Sequence, residues 1–579
     1  MGLGLGVLFS TFATLIAQAA GPLPNGVAAG DTTSTTVVLW ARATVVGQVL
    51  FEYSTDQTFN TGVLSATTTA TNVMQSAKVE ITGLSPATTY HYRVTDAAMA
   101  SGQGKFRTSA QTGTQDGLRF GVSGDWEGSL APYPSISNAD DRNLDFFIEH
   151  GDTIAAGTTI TTVEDYRLKH DEVYSTHLAL NTWADLRGST SIYATIDDND
   201  VRDNFAGGAH PSTDSEFAPF SGAFINETEL YDNALQAFQE FNPLRNEFYG
   251  ATGDSRTANK RKLYRYNTYG SDAAIIILDS RSFRDEQLPA LTDPTDTAAG
   301  LQFMTDSLSD TTRTLLGAKQ LSDLKADLQQ AQAAGITWKF VLIPSAIQNL
   351  GPFKAEDRYE GYGAERTDLL RFITQNGIDN VVFIAAGLHG TIVNNLTYQE
   401  LPAQLPLTDP LNLIHTQTGA FEVIVGPVAI DPPAGPFGPV IVQLALDYGL
   451  ITALEKALYD LASRPLKDAA LKQVIDEEIL TELGYDLIGL NGSGIDATLI
   501  EGDYLAAHTY GWTEFEIDSG TQALTVTTYG IDYYTEADLN DDPDDVVDRT
   551  PEIVSQFVVN PIPVTASQKV YLPIVVKND

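Results

Sequence analysis

The stretch LDFFIEHGD, residues 144–152, joins an apolar run to a glycine and an aspartate. A short apolar run without helical spacing is typical of a strand buried on both faces of a sheet. Similar runs occur elsewhere as LRFGVSG, AAIIILDS, KFVLIPSA, NVVFIAAG and FEVIVGP. Between them, AKQLSDLKADLQQAQAAG and ERTDLLRFITQNG repeat apolar residues at intervals of three and four and end at glycine. Strands that alternate with helices predict a layered α/β domain.

Several of these runs end in a side chain that can bind a metal ion. Asp125 ends GVSGD, Asp152 ends FFIEHGD, and His389 ends FIAAGLH. Taken singly, such an Asp more often forms a turn or caps a helix, and a lone His is more often structural. Ligands of open α/β sheets bind beyond the carboxyl ends of the strands, however, so we expect these residues to converge on one rim.

The segment ATIDDNDVRDNFAG, residues 194–207, supports the same interpretation. It places Asp197, Asp198, Asp200 and Asp203 within seven residues, with Arg202 as the only offsetting charge. Crowded carboxylates resist ionising together unless a cation, a shared proton or full solvation relieves them. A cation among converging carboxylates accounts for the cluster. Oxygen ligands with one imidazole suit Ca²⁺, Mg²⁺, Mn²⁺ or iron.

Composition excludes several classes of partner and site. The 579 residues include 75 acidic and 34 basic residues, a net charge of −41, which argues against nucleic acid and anionic lipid. Cysteine is absent, so disulfides, thiolate metal sites and cysteine nucleophiles are excluded. The length predicts two or three domains.

The N-terminal part predicts export followed by a small β-domain. Residues 1–20 are apolar and small and end in Ala17-Gln18-Ala19, as in a signal peptide, although they contain no Lys or Arg and a buried helix remains the alternative. Secretion or display at the cell surface follows from the first interpretation. From 21 to 110, β-branched and aromatic segments separated by turn residues predict a β-sandwich. LSPATTYHYRVTD resembles the corner of fibronectin type III domains, where a Tyr at the position of Tyr90 bonds to nearby backbone.

The remaining boundaries follow from changes in composition. A polar segment, residues 109–117, precedes the α/β domain, which we assign to 111–535. Residues 536–579 predict an acidic linker and a C-terminal strand or sorting tail, because Pro543 and Arg549 break the calcium-loop pattern of EADLNDDPDDVVD. No later run reaches about 18 apolar residues, so no membrane span is predicted in the mature chain.

Six motifs in order resemble those of alkaline phosphatase D-like (PhoD-type) metallophosphoesterases. They are SGDWEG, HGDTI, DDNDVRDNFAG, LDSRSFR, EDRYEGYGAER and AGLHG. The resemblance extends from about residue 25 to 530 and includes GVAAGDTTSTTVVLWAR, which is similar to the family's N-terminal β-domain. It implies a four-layer αββα sandwich preceded by a small fibronectin III-like domain. It also implies a phosphoric ester hydrolase that cleaves phosphomonoesters or phosphodiesters of small molecules by metal-activated hydroxide.

The resemblance assigns roles to single residues. Asp152 corresponds to the bridging carboxylate, and Asp125, Asp198 and His389 to further metal ligands. Arg281 and Arg284 match a basic segment near the phosphate, and Tyr359 matches an aromatic residue of the pocket. Three positions depart from the pattern. Asn199 replaces the His of D-D-H-E, Ala155 replaces a Tyr ligand, and Gly387 replaces the Asp of G-D-x-H.

The departures leave two functions open. In an active enzyme, Asn199 cannot donate a proton, so hydrolysis is expected to favour good leaving groups such as aryl phosphates. Another imidazole could replace it, and the available residues are His177, His210, His415 and His508, of which His508 in AAHTYGW is preferred. The alternative is a non-catalytic member of the fold that acts as a secreted or surface binding protein.

Overall fold

The structure, a computed structural model, describes residues 21–431 and 437–564. The predicted signal peptide, residues 1–20, and the end of the predicted tail, residues 565–579, lie outside the described residues. The strands are β1 (Val27–Gly30), β2 (Thr36–Arg42), β3 (Gly47–Ser54), β4 (Leu64–Ala70), β5 (Ser76–Thr82), β6 (Thr89–Thr95), β7 (Ser101–Arg107), β8 (Leu118–Ser123), β9 (Phe146–His150), β10 (Ser191–Thr195), β11 (Arg265–Tyr269), β12 (Ala273–Ile277), β13 (Trp338–Leu342), β14 (Val381–Ala385), β15 (Thr391–Glu400), β16 (Ile414–Ile424), β17 (Ala497–Gly502), β18 (Leu505–Ala506), β19 (Thr509–Ile517), β20 (Leu524–Asp532) and β21 (Glu552–Val559). The helices are α1 (Val163–Tyr174), α2 (Thr182–Ser189), α3 (Glu229–Phe241), α4 (Thr297–Ser309), α5 (Ala318–Ala333), α6 (Gly363–Gln375), α7 (Phe437–Asp447), α8 (Ala453–Leu461), α9 (Arg464–Ile475), α10 (Thr481–Leu483), α11 (Glu536–Asp541) and α12 (Pro543–Val547).

Two large mixed sheets carry the fold. One has ten strands in the order β17-β21-β20-β19-β8-β9-β10-β1-β2-β5, and the other has seven in the order β11-β12-β13-β14-β16-β15-β18. Strands β8, β9, β10 and β1 run parallel at the centre of the first sheet. Strands β12, β13, β14 and β16 run parallel in the second. The carboxyl ends of these parallel strands carry the loops of the candidate site.

Apolar side chains pack between the two sheets and on both outer faces. Phe120 and Ile148 of the first sheet share a buried cluster with Phe340 and Ile384 of the second. On the outer faces, strand residues pack against α1, α2 and α3 on one side and against α5 and α6 on the other. Alternate strand residues point to opposite faces, and both faces are covered, which is why runs such as FFIEH are buried throughout. The predicted α/β class is confirmed.

The N-terminal β-segment is a sandwich that shares a sheet with the α/β part. Strands β3, β4, β6 and β7 form a separate four-stranded sheet, whereas β1, β2 and β5 face them from the end of the ten-stranded sheet. Strand β1 pairs in parallel with β10, with Ala29 opposite Ser191. The hydroxyl of Tyr90 accepts a hydrogen bond of 3.0 Å from the Ser85 backbone N–H, the predicted corner contact.

The acidic C-terminal segment contains two short helices and is followed by a sheet strand. Residues 536–547 form α11 and α12, and the Thr535 hydroxyl caps α11 through the Asp538 N–H. Strand β21 pairs with β20 and β17 within the ten-stranded sheet. The sheet therefore extends past residue 535, the predicted end of the α/β domain. No helix among residues 21–431 and 437–564 is both long and apolar enough for a membrane span.

Candidate metal centre

The loops that follow β8, β9, β10 and β14 carry the predicted metal ligands to one place. Asp125 and Asp152 each lie two residues beyond their strands, Asp198 lies three beyond β10, and His389 lies four beyond β14 of the facing sheet. Ligand atoms of Asp125, Asp152 and His389 lie within 4.8 Å of one another, and so do those of Asp152, Asp197 and Asp198. The two triplets share Asp152. The structure thus brings the four predicted ligands together and adds Asp197.

Three of these residues have a left-handed backbone. The φ angles are 62° for Asp125, 49° for Asp152 and 53° for His389. Non-glycine residues rarely adopt this conformation, and its cost is commonly met at sites where a side chain must be aimed. Here the sharp turn after each strand directs the side chain inward over the strand end.

Two features hold the loops of Asp152 and Asp197 together. Gly151 has a φ of 82°, and a Cβ atom there would lie 2.8 Å from the Asp197 Cβ, so only glycine permits the approach. Asp200 is fully buried, and its carboxylate accepts bonds from the Thr153 N–H at 3.1 Å and the Asp197 N–H at 2.9 Å. Asp200 therefore connects both ligand loops through their backbones.

Asn199 faces the shared carboxylate. Its backbone N–H donates to Oδ1 of Asp152 at 3.0 Å, and its side-chain amide donates to Oδ2 at 3.0 Å. The amide therefore orients Asp152. In this arrangement its donor group is directed to a ligand carboxylate, and an amide has no proton to supply to a leaving group.

Burial determines the protonation of the cluster. Burial, with the neighbouring carboxylates, raises the pKa of Asp125 and of Asp152 well above the usual range. Burial raises the pKa of Asp197 to about 6, although Arg281 opposes the shift. Burial lowers the pKa of His389 to about 4, so its imidazole is neutral at pH 7, the form that binds metals.

The donor set fits a metal ion. The Nδ1 atom of His389 is buried and has no hydrogen-bond partner among the described residues. The buried carboxylates of Asp125 and Asp152 lie in the same triplet as His389, and those of Asp197 and Asp198 lie in the adjoining triplet. Buried carboxylates are costly without a compensating positive charge. Carboxylate oxygens and one imidazole suit hard or borderline ions such as Ca²⁺, Mg²⁺, Mn²⁺ or iron.

Arg281 contacts two carboxylates of this cluster. Its Nε lies 2.5 Å from Oδ1 of Asp197, and Nη2 lies 3.6 Å from Oδ1 of Asp198. Its two terminal nitrogens donate to the two oxygens of Asp357, each at 2.7 Å. Arg281 therefore spans the ligand carboxylates and Asp357, which was not predicted as a site residue.

Two other predicted residues, Arg284 and Tyr359, are buried outside the two ligand triplets. Arg284 is fully buried and donates to Asp357 at 2.8 Å, Ser345 at 2.8 Å and the Ser280 carbonyl at 2.6 Å, so it supports Asp357 and has no exposed edge for a phosphate. Tyr359 is also fully buried, lies in the apolar cluster beside α6, and bonds to Glu365 at 3.1 Å. It does not line the site, because the turn after Asp357 directs it into the core.

His508 does not join the carboxylate cluster. Its Nδ1 bonds to Asp468 and its Nε2 to the Tyr459 hydroxyl, each at 2.6 Å, so both ring nitrogens are engaged elsewhere. The other three candidate histidines have separate partners: His177 bonds to the Glu172 carbonyl, His210 to Ser212, and His415 lies by Gln399 and Tyr485. The predicted replacement imidazole is therefore absent from the cluster among the described residues.

The departures at positions 155 and 387 have local consequences. Ala155 is exposed and contributes no ligand atom. Gly387 donates its N–H to Asp125 at 3.2 Å, and a Cβ there would lie 3.3 Å from Oδ2 of Asp197. A side chain at 387 would thus point at the second triplet, which in this chain has only carboxylates.

Comparison with known proteins identifies the family of the chain. The family model for the PhoD-like phosphatase matches residues 124–436, which include all four predicted ligands. The chain belongs to the PhoD-like phosphatase family. The model for the N-terminal domain of PhoD-like phosphatases matches residues 12–110.

Two relatives show how far the chain has diverged in sequence. It is 27% identical over 415 residues to alkaline phosphatase D of Bacillus subtilis (strain 168), a match that spans 65% of this chain and 66% of the relative. The solved structure of PhoD superimposes with a TM-score of 0.64 at 19% identity and covers 95% of this chain and 94% of that one. The structural likeness supports the fold.

Proposed function

We propose that this PhoD-like phosphatase is a metal-dependent phosphoric ester hydrolase acting on small phosphomonoesters or phosphodiesters. The observation that carries the proposal is the convergence of Asp125, Asp152, Asp198 and His389, with Asp197, at the ends of parallel strands from two facing sheets. When bound, divalent or trivalent ions supply Lewis acidity and lower the pKa of water, which is the chemistry that phosphoester hydrolysis requires.

The chain supplies the metal-binding side chains and the residues that hold them in position. Asp125, Asp152 and His389 form one ligand triplet, and Asp152, Asp197 and Asp198 form another. Asn199 fixes both oxygens of Asp152, and Asp200 holds the two carboxylate loops in register. Arg281 supplies a fixed positive charge beside a site that would otherwise repel a phosphate dianion.

Neither Asn199 nor any of the four candidate histidines is free in the cluster to act as a general acid among the described residues. Asn199 is directed to Asp152, and the engaged His508 bonds to Asp468 and Tyr459. A general acid typically contributes about 10²- to 10⁴-fold. We therefore propose substrates whose leaving groups depart without protonation, such as aryl phosphates.

The test measures metal content and hydrolysis together. The purified full chain is analysed for bound metals and assayed on p-nitrophenyl phosphate and bis(p-nitrophenyl) phosphate with Ca²⁺, Mn²⁺, Mg²⁺ or iron. Asp152→Asn is expected to lower metal content and abolish hydrolysis. The matched control Asp544→Asn, which changes an exposed acidic residue of α12, is expected to retain both.

The alternative is a binding protein of the same fold that does not hydrolyse phosphate. The departures at Ala155, Asn199 and Gly387 favour it, since each removes a group that the family pattern has at the site. Metal bound without hydrolysis that depends on Asp152 would support this alternative. Absence of both would contradict the metal-site proposal as well.

Export is part of the proposal. The apolar residues 1–20 end in the small-residue pattern Ala17-Gln18-Ala19, which a signal peptidase can cleave. Expression of the chain in a bacterial host, followed by N-terminal sequencing of the periplasmic or extracellular protein, tests it. A mature chain that begins near residue 20 is the expected result, and an uncleaved cytoplasmic chain would contradict it.

A further inference from the structure

The two ligand triplets differ in the charge already beside them. In the triplet of Asp152, Asp197 and Asp198, the Arg281 guanidinium lies 2.5 Å from Asp197 and 3.6 Å from Asp198. A guanidinium at this distance carries the positive charge that a bound cation would otherwise contribute. The triplet therefore has an internal counter-ion.

Arg281 is held in this position from behind. Asp357 accepts both terminal nitrogens of Arg281 at 2.7 Å, in a bidentate geometry. Asp357 also accepts from Arg284 at 2.8 Å and from Gln287 at 2.6 Å. The Arg281 side chain is 3% exposed and is bonded to Asp197 on one side and to Asp357 on the other. Moving it away from Asp197 would therefore disturb a buried and fully paired group.

Within the part of the chain that the structure describes, the triplet of Asp125, Asp152 and His389 has no such cation. Its hydrogen-bond donors are the Gly387 N–H to Asp125 and the two Asn199 groups to Asp152, all of them neutral. His389 Nε2 lies 3.9 Å from Asp125, and the buried Nδ1 lacks a partner among the described residues. Among the described residues, no arginine neutralises the carboxylates of this triplet before a metal ion binds.

We propose that the two triplets bind metal unequally, with one tight ion at Asp125, Asp152 and His389. A second ion at Asp152, Asp197 and Asp198 binds more weakly, because it must displace Arg281 from Asp197. Arg281 is thus a residue that limits metal occupancy as well as a charge beside the substrate. This inference rests on the metal binding of the proposed function.

Binding of Mn²⁺ to the metal-free full chain tests the proposal without any substrate. Equilibrium dialysis with detection of free Mn²⁺ by electron paramagnetic resonance gives stoichiometry and affinity. The wild type is expected to bind one tight equivalent and a second at least about 100-fold more weakly, a gap of the size that a competing charge pair can produce. Arg281→Gln is expected to bring the second affinity to within about 10-fold of the first, since the glutamine carries no charge. The control Arg371→Gln, which removes an arginine paired with Glu400 outside the cluster, is expected to behave as the wild type.

Two outcomes would overturn the proposal: two equivalents of similar affinity in the wild type, or an unchanged second affinity in a folded Arg281→Gln variant. If Arg281→Gln does not fold, a second pair of variants tests the proposal. Asp125→Asn is expected to remove the tight equivalent, and Asp197→Asn to retain it and lose the weak one. Equal loss of the tight equivalent in both would also overturn the proposal. Failure of the wild type to bind any Mn²⁺, Ca²⁺, Mg²⁺ or iron would instead contradict the proposed function.

Discussion

The side-chain amide and backbone N–H of Asn199 each donate to one oxygen of Asp152, both at 3.0 Å. One residue thus satisfies both oxygens of the carboxylate that the two ligand triplets share. Position 199 is a histidine in the family pattern, and the asparagine found here keeps Asp152 oriented through these two hydrogen bonds. It also removes from the site a group that could protonate a leaving oxygen.

Asn199→His is expected to shift the preference for leaving groups. An imidazole can donate a proton, so kcat/KM for an alkyl phosphate should rise relative to that for p-nitrophenyl phosphate, by about 10- to 100-fold, the lower part of the range for general acids. Steady-state kinetics on both substrates measure the ratio. Asn376→His, at an exposed helix end, is the control and should leave the ratio unchanged. An unchanged ratio in Asn199→His would show that the leaving group receives no proton at this position.

Gly151→Ala is expected to weaken both folding and metal binding. Its φ of 82° disfavours alanine, and the added Cβ would lie 2.8 Å from the Asp197 Cβ, so the carboxylate loop must move. Gly377→Ala separates the two effects, because Gly377 has a φ of 59° and no atom within 4 Å of the added Cβ. The control should lose about 1 kcal/mol of unfolding free energy, the cost of a left-handed alanine. Urea unfolding measures the stability of the two variants, and Mn²⁺ dialysis measures their metal affinity. Equal metal affinity in Gly151→Ala and Gly377→Ala would show that the contact between position 151 and Asp197 does not affect metal binding.

Asp200→Ala is expected to loosen the two ligand loops. It leaves the buried N–H groups of Thr153 and Asp197 without acceptors, at about 1–3 kcal/mol for each donor. Metal affinity should fall as well, although Asp200 is in neither ligand triplet. Asp165→Ala is the matched control, since Asp165 also accepts from two backbone N–H groups, those of Thr161 and Thr162, but in an exposed helix cap. Urea unfolding should show a much smaller loss for this control, and similar losses in both would exclude the proposed role of Asp200.

His170→Phe is expected to reduce acid sensitivity. Both ring nitrogens of His170 lack partners among the described residues, and burial lowers its pKa to about 3. The unfolded chain, with an ordinary histidine pKa of about 6.5, binds the proton more readily, so this group destabilises the fold as pH falls below about 6.5. Between pH 7 and pH 5 the loss is about 2 kcal/mol.

Phenylalanine at position 170 has no such proton and fits a ring that stacks on Phe241 with centroids 5.2 Å apart. Urea unfolding at pH 7 and pH 5 should therefore show a pH dependence smaller by about 2 kcal/mol in His170→Phe. His210→Phe changes an exposed imidazole and should keep the wild-type difference. A pH dependence of His170→Phe equal to that of the wild type would contradict the assignment.

Sequence patterns predicted the convergence of the candidate ligands better than the positions of the residues around them. Asp125, Asp152, Asp198 and His389 follow apolar strands, and the topology of parallel strands brings strand ends together whatever the loops contain. Tyr359 and Asp357 are two residues apart, yet only Asp357 contacts Arg281. Which of two neighbouring side chains faces a site depends on the backbone angles of a short turn, and composition does not specify these.

The pairing of strands that are distant in sequence could not be predicted either. The TTVVLWARA segment predicts a strand, but nothing local indicates that β1 beside it pairs with β10 across more than 150 residues. His508 shows the same limit, because its partners Asp468 and Tyr459 lie on helices of a segment far from it in sequence. The start of helix α11 in the acidic segment could have been predicted from the sequence, because Thr535 and Asp538 form a capping box.

The pairing of β1 with β10 means that the N-terminal sandwich is not a detachable module. Strand β10 leads directly into the loop of Asp197 and Asp198, and removal of β1 would leave its edge without a hydrogen-bonding neighbour. Bare edges of this kind recruit strands from other molecules and promote aggregation. Shortened forms that begin near residue 111 would therefore compromise the α/β part itself, and comparative or engineering work is better served by treating residues 21–564 as one inseparable unit.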